Sequence, residues 1–281
     1  MIREHRGGLR WLVALPSEAA PLITRFEMSL VHAAPFKVYR SGDERHWLVV
    51  SGIGKVAASG ACAHLHALSG ASKADAWLNV GIAGHEHAPL GTPFLAHKVT
   101  DAASDSTWYP GMTFASGIET CGVETVDEPV TEYAPATLYE MEASGYFAMA
   151  VKFSSLELSH AIKIVSDNTS DSIEGITRAR VSSWVEGALP VVERVALALL
   201  ALSESEHERL DAPNELDTLI GRWHFSVSEQ HELRKLILRW RALVRHESLL
   251  ESALMDSRDG KMFLKRLRSR LADEPAALGE L

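Results

Sequence analysis

Only two of the 281 residues are cysteine, Cys62 and Cys121. Two thiols cannot build a disulfide framework, which excludes the small cross-linked secreted class and favours a reducing compartment, the cytoplasm. Long apolar runs are also missing. The longest, Val195 to Leu202, falls far short of the ~20 residues that span a bilayer. The first residues, Met1-Ile-Arg-Glu-His-Arg6, lack the apolar core of a signal peptide, so no membrane partner is expected. Nor is there an excess of basic charge: 28 Lys and Arg stand against 37 Asp and Glu, a formal net charge of −9. The imbalance lies in residues 1–209, because residues 210–281 carry twelve of each sign. An acidic body is ill suited to nucleic acid, whose phosphates need a basic surface. A small anion held by local backbone amides stays compatible with it. The thirteen histidines show no metal-ligand spacing. His64 and His66 diverge at i, i+2 on an expected helix, and no metal is expected. Repeats and low-complexity tracts are absent.

What is there is an ordinary globular balance, 46% hydrophobic and 23% charged, with enough chain for one large domain and an extra segment. Trp11 to Leu15 reads as a short buried strand, followed by a helix that Ser17 would cap and that runs to about Phe26. Lys37 to Arg40 and His46 to Val50 are strand candidates around a Gly42-Asp43 turn. Ser51-Gly-Ile-Gly54 then leads into a small-residue helix, Lys55 to Leu68. Strand, glycine turn and helix make an α/β unit. Ala76 to Val80 repeats the theme, ending in Gly81-Ile-Ala-Gly84, and Pro93 to Val99 is a further strand. Residues 100–135 are irregular. Thr137 to Val151 reads as a helix, Ala161 to Val165 as a strand ending at Ser166-Asp167, and Arg178 to about Leu202 as a helix that Pro190 kinks or restarts. Residues 203–213 have the composition of a linker. Beyond it Ser226-Val-Ser-Glu229 fits a capping box, Leu233, Leu236, Ile237, Trp240 and Leu243 follow at helical spacing, and a last helix spans Lys261 to Leu271.

Four segments carry chemistry as an ordered set: Ala14-Leu-Pro-Ser-Glu-Ala19, Ser51-Gly-Ile-Gly-Lys-Val-Ala-Ala58, Asn79-Val-Gly-Ile-Ala-Gly84, and Glu140-Met-Glu-Ala143 followed by Val165-Ser-Asp167. In order and spacing they resemble the purine nucleoside phosphorylase and 5′-methylthioadenosine/S-adenosylhomocysteine nucleosidase superfamily over about residues 10–202. The resemblance implies an α/β domain (residues 1–205) with a central mixed β-sheet flanked by helices, followed by a helical C-terminal extension (residues 206–281). It also implies a homo-oligomer that cleaves the N-glycosidic bond of a purine nucleoside and takes no cofactor, with inorganic phosphate as co-substrate only in a phosphorylase.

Such cleavage builds positive charge on the sugar and negative charge on the base, a task that two acidic groups divide in glycoside hydrolysis. By resemblance, Asp167 protonates the purine near N7, oriented by Ser166. The plainer reading is an Asp that caps the turn after a strand. Glu142 would bind the ribose hydroxyls with Met141 against the sugar, the alternative being a helical Glu turned to solvent; Glu140, on another side of that helix, is expected to be unimportant. Glu18 would activate water, although a carboxylate at a helix N-terminus is favoured by the dipole alone. Gly52 and Ile53 let backbone amides approach the sugar or an oxyanion, while Lys55 is expected to face solvent. Gly81 and Ile82 complete the substrate site, but this turn departs from the family. Phosphorylases carry an Arg before it and a Ser within it, where this chain has Asn79 and Ile82. Without them a phosphate site is hard to build, which favours water. For the base, Thr125 and Val126, with Trp108, Tyr109 and Asp127, are candidate walls.

Two alternatives stand beside hydrolysis of an adenosine-type, 5′-modified nucleoside. One is phosphorolysis. The other is a non-catalytic nucleoside sensor whose helical tail contacts DNA or protein through Arg234, Lys235, Arg239, Arg241 and Arg245, or through the cluster Lys261 to Arg270. The tail's zero net charge favours plain packing.

Overall fold

A computed structural model describes residues 7–210, 214–243 and 257–273. The chain divides into two compact units, residues 1–207 and 208–281. In the first, the elements run β1 (Leu9–Val13), α1 (Pro16–Arg25), β2 (Met28–His32), β3 (Lys37–Ser41), β4 (His46–Val50), α2 (Lys55–Ser69), β5 (Ala76–His85) and β6 (Pro93–Asp101). They continue with β7 (Thr107–Trp108), β8 (Thr120–Thr125), β9 (Thr137–Glu140), α3 (Ala143–Phe153), β10 (Ser159–Asp167) and α4 (Arg178–Leu210).

The sheet is mixed, as the resemblance implies. β1 pairs in parallel with β4 and with the first half of β5, and β3 and β2 continue antiparallel beyond β4. On the other edge of β5, β10 runs parallel to it from Trp77 to Gly84. β10 pairs with β6, β6 with β8 and β8 with β9, and β9 returns to Gly84 and His85 at the end of β5. Five strands thus close on themselves. One edge of β5 is shared: β1 takes Ala76–Asn79 and β9 takes only Gly84 and His85. Between them no described strand pairs with that edge, and the site forms at this gap.

Alternation along the strands sorts side chains onto two cores. Leu9, Trp11, Val13, Leu78, Val80, Ile162 and Ile164 lie with residues of α1 and α4. Leu12, Trp77, Ala161 and Val165 lie with Ala58, Ala61, Cys62 and Leu65 of α2 and Tyr146 and Phe147 of α3. Each such large side chain contributes roughly 1.5–3 kcal/mol when fully buried.

Several local expectations are corrected. Gly81-Ile-Ala-Gly84 is strand, not turn, because β10 supplies partners through Gly84. Thr137–Glu140 is strand too: Leu138 and Glu140 are buried and alternate with half-buried neighbours, so α3 starts only at Ala143. Helix α1 begins at Pro16 with Leu15 at its N-cap, leaving Ser17 inside it; proline suits that first position. Helix α4 passes unbroken through Pro190. The roughly 3 kcal/mol cost of an interior proline is offset by the buried stripe Val185, Ala188, Val192, Val195, Ala196 and Leu199. The polar stretch from Ser203 is helical to Leu210, since buried Ser203 donates to the Ala74 carbonyl at 2.7 Å and accepts from the Gly8 amide at 3.1 Å. Residues 211–213 lie outside the described residues.

The second unit contains α5 (Asn214–Arg222), α6 (Val227–Leu243) and α7 (Gly260–Asp273). They pack through Leu219, Phe225, Leu233, Ile237, Trp240, Phe263 and Leu267. The capping box is formed: Ser226 N donates to Glu229 Oε2 at 2.8 Å, and Glu229 N to Ser226 Oγ at 3.4 Å. Arg234 and Arg239 donate to the carbonyls of Leu210 and Leu271, and Arg268 pairs with Glu232. The Arg241 side chain and Arg245 lie outside the described residues. No helix among the described residues is long and apolar enough to cross a membrane.

Candidate active site

Glu18 occupies the third position of α1 and points into the gap beside β5. Its Oε2 accepts the Ala14 and Leu15 amides at 2.9 and 2.8 Å, and its Oε1 accepts the Ile82 amide at 3.1 Å. The bond from Leu15 is a helix cap, so the plainer reading of this residue is physically real. Yet Glu18 is 1% exposed. Burial raises its pKa against the opposing pull of the three amides and Lys163. A carboxylate oxygen accepts about two hydrogen bonds; Oε2 is filled by two donors, and Oε1 keeps one acceptor position.

Glu142 is the N-cap residue of α3, buried rather than turned to solvent. Its Oε1 accepts the Gly54 amide at 2.8 Å. Gly54 has φ 100° and Gly52 φ 83°, a conformation glycine adopts without penalty. Among the described residues Oε2 of Glu142 accepts nothing, and the carboxyl lines the cavity described below. Burial first, then the charge of Glu140, raises its pKa to about 7.

Glu140, expected to be unimportant, is buried in the floor of the site. Lys163 Nζ donates to its Oε2 at 2.7 Å and Thr125 Oγ1 to its Oε1 at 2.6 Å. The amides of Glu142 and Ala143 donate to Oε2 at 3.0 and 2.8 Å. Lys163, on β10, is fully buried. The sequence reading missed it, because a lone Lys in an apolar strand carries no signal of its partner.

Asp167 is the last residue of β10 rather than the residue after it. An irregularity between Val165 and Asp167 breaks the pairing with β5, and such a bulge re-aims the side chain at a strand end. Ser166 Oγ donates to Asp167 Oδ1 at 2.5 Å, so Ser166 orients it. The second oxygen accepts the hydroxyl of Tyr133, a residue from the loop between β8 and β9 that was not anticipated.

These groups border one cavity of about 190 Å³. Glu18, Ile53, Ile82, Val126, Met141, Glu142, Ser166 and Asp167 line it, together with Val130, Tyr133, Tyr139, Ile173 and Ile176. Other expected positions do not reach it. Gly52 and Gly81 do not line it; a Cβ at Gly81 would stand 3.3 Å from Glu18 Oε1 and 3.5 Å from Lys163 Nζ. Thr125 is consumed by Glu140 and by the Ser144 amide, which it accepts at 2.9 Å. Trp108 packs on Phe147, and Tyr109 is exposed. Lys55 bridges Asp101 and Asp127 at 3.1 and 3.0 Å instead of standing free in solvent.

No protein-family model matches the sequence, and no curated protein is similar to it. Solved structures do match. The futalosine hydrolase of Helicobacter pylori superposes with TM-score 0.58 at 13% identity, over 69% of this chain and 98% of that one. The Arabidopsis thaliana 5′-methylthioadenosine nucleosidase gives 0.56 at 17%, over 69% and 96%. The S. pneumoniae 5′-methylthioadenosine/S-adenosylhomocysteine nucleosidase, solved with a transition-state inhibitor, gives 0.53 at 19%, over 70% and 99%. The chain therefore has the fold of the nucleoside phosphorylase and nucleosidase superfamily.

Proposed function

We propose that this protein hydrolyses the N-glycosidic bond of an adenosine-type purine nucleoside with a modified 5′ position. One observation carries the reading: Glu18, Glu142 and Asp167, from separate elements, border the same largely apolar cavity. In the proposed reaction Asp167 gives a proton to the base as the C1′–N9 bond breaks. Water, losing a proton to the free acceptor position of Glu18 Oε1, bonds to C1′. Glu142 holds the ribose hydroxyls through Oε2. The base leaves neutral, and solvent restores both carboxyls. The charge that develops on sugar and base is met by groups already in place, which is where such sites gain most.

Water is favoured over phosphate because, among the described residues, no Lys, Arg or His lines the cavity. An anion there would lack the cation that phosphate sites use. The apolar lining, with Ile53, Met141 and Ile176, suits a purine and an uncharged 5′ group. The test is incubation of 5′-methylthioadenosine with the full chain in phosphate-free buffer. Adenine and free sugar are expected, at a rate that phosphate leaves unchanged. Strict dependence on phosphate would overturn hydrolysis in favour of phosphorolysis. Tight binding with no turnover would leave the sensor.

A further inference from the structure

The cavity is too small for what it is proposed to hold. Sites for small molecules measure about 300–1,000 Å³, against about 190 Å³ here. Tyr133 is one of the side chains that line the cavity. Its hydroxyl donates to Asp167 Oδ2, the oxygen that Ser166 leaves open. Its ring lies against the backbone of β5, where a Cβ at Gly84 would fall 2.5 Å from Tyr133 Cε1 and 2.6 Å from Asp167 Oδ2. The ring takes the place beside Asp167 that the proposed purine needs, with the opposite polarity: the Tyr133 hydroxyl donates to the carboxyl, whereas the purine nitrogen accepts from it.

The segment that delivers Tyr133 is weakly held. Between Asp127 and Ala136 every side chain is exposed except Val130 and Tyr133, which are half-buried. No amide of residues 128–135 donates to a main-chain carbonyl among the described residues. Segments with so few buried contacts and backbone bonds open at low cost. Burial, then Asp167, pushes the Tyr133 hydroxyl up, which keeps it a donor.

We propose that Tyr133 is a built-in competitor for the purine: it occupies the base position on Asp167, and the arriving base expels it together with residues 127–136. This rests on the nucleoside reading above. Two measurements on the full chain, both with free adenine as probe, test it. Tyr133→Phe removes the hydroxyl and keeps the ring, and a thermal melt checks its fold. Because the hydrogen bond to the Asp167 carboxyl no longer has to be broken, calorimetry should show adenine binding on the order of tenfold tighter than in the unmodified protein. In the unmodified protein, amide hydrogen exchange over residues 127–136 should speed up when adenine binds, the reverse of ordinary ligand protection. Equal or weaker binding by Tyr133→Phe, or slower exchange in that segment, overturns the proposal and leaves the nucleoside reading standing. If neither protein binds adenine, the nucleoside reading fails and this inference falls with it.

Discussion

Glu140 and Glu142 are two residues apart, both buried, and differ in nearly everything else. Glu140 is saturated: Lys163, Thr125 and two backbone amides meet its oxygens. Glu142 has one amide, from Gly54, and among the described residues its second oxygen has no donor. The floor of the site thus holds a carboxylate whose needs are met, while its wall holds one whose needs are not. Burying a charge is tolerable when it is paired and hydrogen-bonded. A buried carboxyl left short of donors persists at a cost, and such groups concentrate where ligands bind. The difference separates a structural carboxylate from a candidate working one without any appeal to motif.

Substitutions can break or sharpen this contrast. The largest loss of stability is expected at the floor. Lys163→Met leaves Glu140 buried without its ion pair, which should cost about 3–5 kcal/mol, read from urea or guanidinium unfolding. A loss under 1 kcal/mol would mean the floor is not the anchor described. On the wall, Glu142→Gln should change stability little at neutral pH but lower kcat/KM about tenfold to a hundredfold, the worth of charge-assisted bonds to substrate. An equal loss of stability in both variants would erase the distinction.

The contrast also has a pH signature. The Glu142 carboxyl titrates at about 7 in the fold, against an ordinary value of 4.5. The fold therefore favours its protonated form. This contribution to stability is fully present below the unfolded value and is lost as pH rises through about 7. Glu142→Gln should flatten the melting temperature between pH 5 and 8 relative to the unmodified protein. Identical pH slopes would place the carboxyl in water. The smallest effect is expected at Thr125→Val, which removes one of the Glu140 donors and should cost about 1 kcal/mol with little change in kcat.

How much of this was legible in the sequence follows from the range of the interactions. Glu142 and Asp167 were readable because each sits in a short contiguous motif, Glu140-Met-Glu and Val165-Ser-Asp. Their partners were not. Lys163 meets Glu140 only because β10 and β9 lie at opposite edges of β5, and no local pattern encodes that. Tyr133 reaches Asp167 from the loop that leads into β9, which pairs with Gly84 and His85 at the end of β5. Thr125 was a candidate wall for the base by resemblance, yet its hydroxyl turns into the Glu140 network. The same limit explains Gly81 to Gly84: two glycines suggest a turn until a neighbouring strand pairs with them. Many strands and helices were visible from periodicity and the mixed sheet from the resemblance, whereas helix α4 outlasted both its proline and its polar end because tertiary burial overrode local signals.

Base release measured with Asp167→Asn bears most directly on the central claim. The unmodified chain should liberate adenine from 5′-methylthioadenosine in phosphate-free buffer. The variant, melting at a similar temperature, should be slower by about a hundredfold to ten-thousandfold, the range lost with a general acid. A folded variant that releases adenine at the unmodified rate, or a folded unmodified chain that binds adenine and releases none from the nucleoside, would contradict the account.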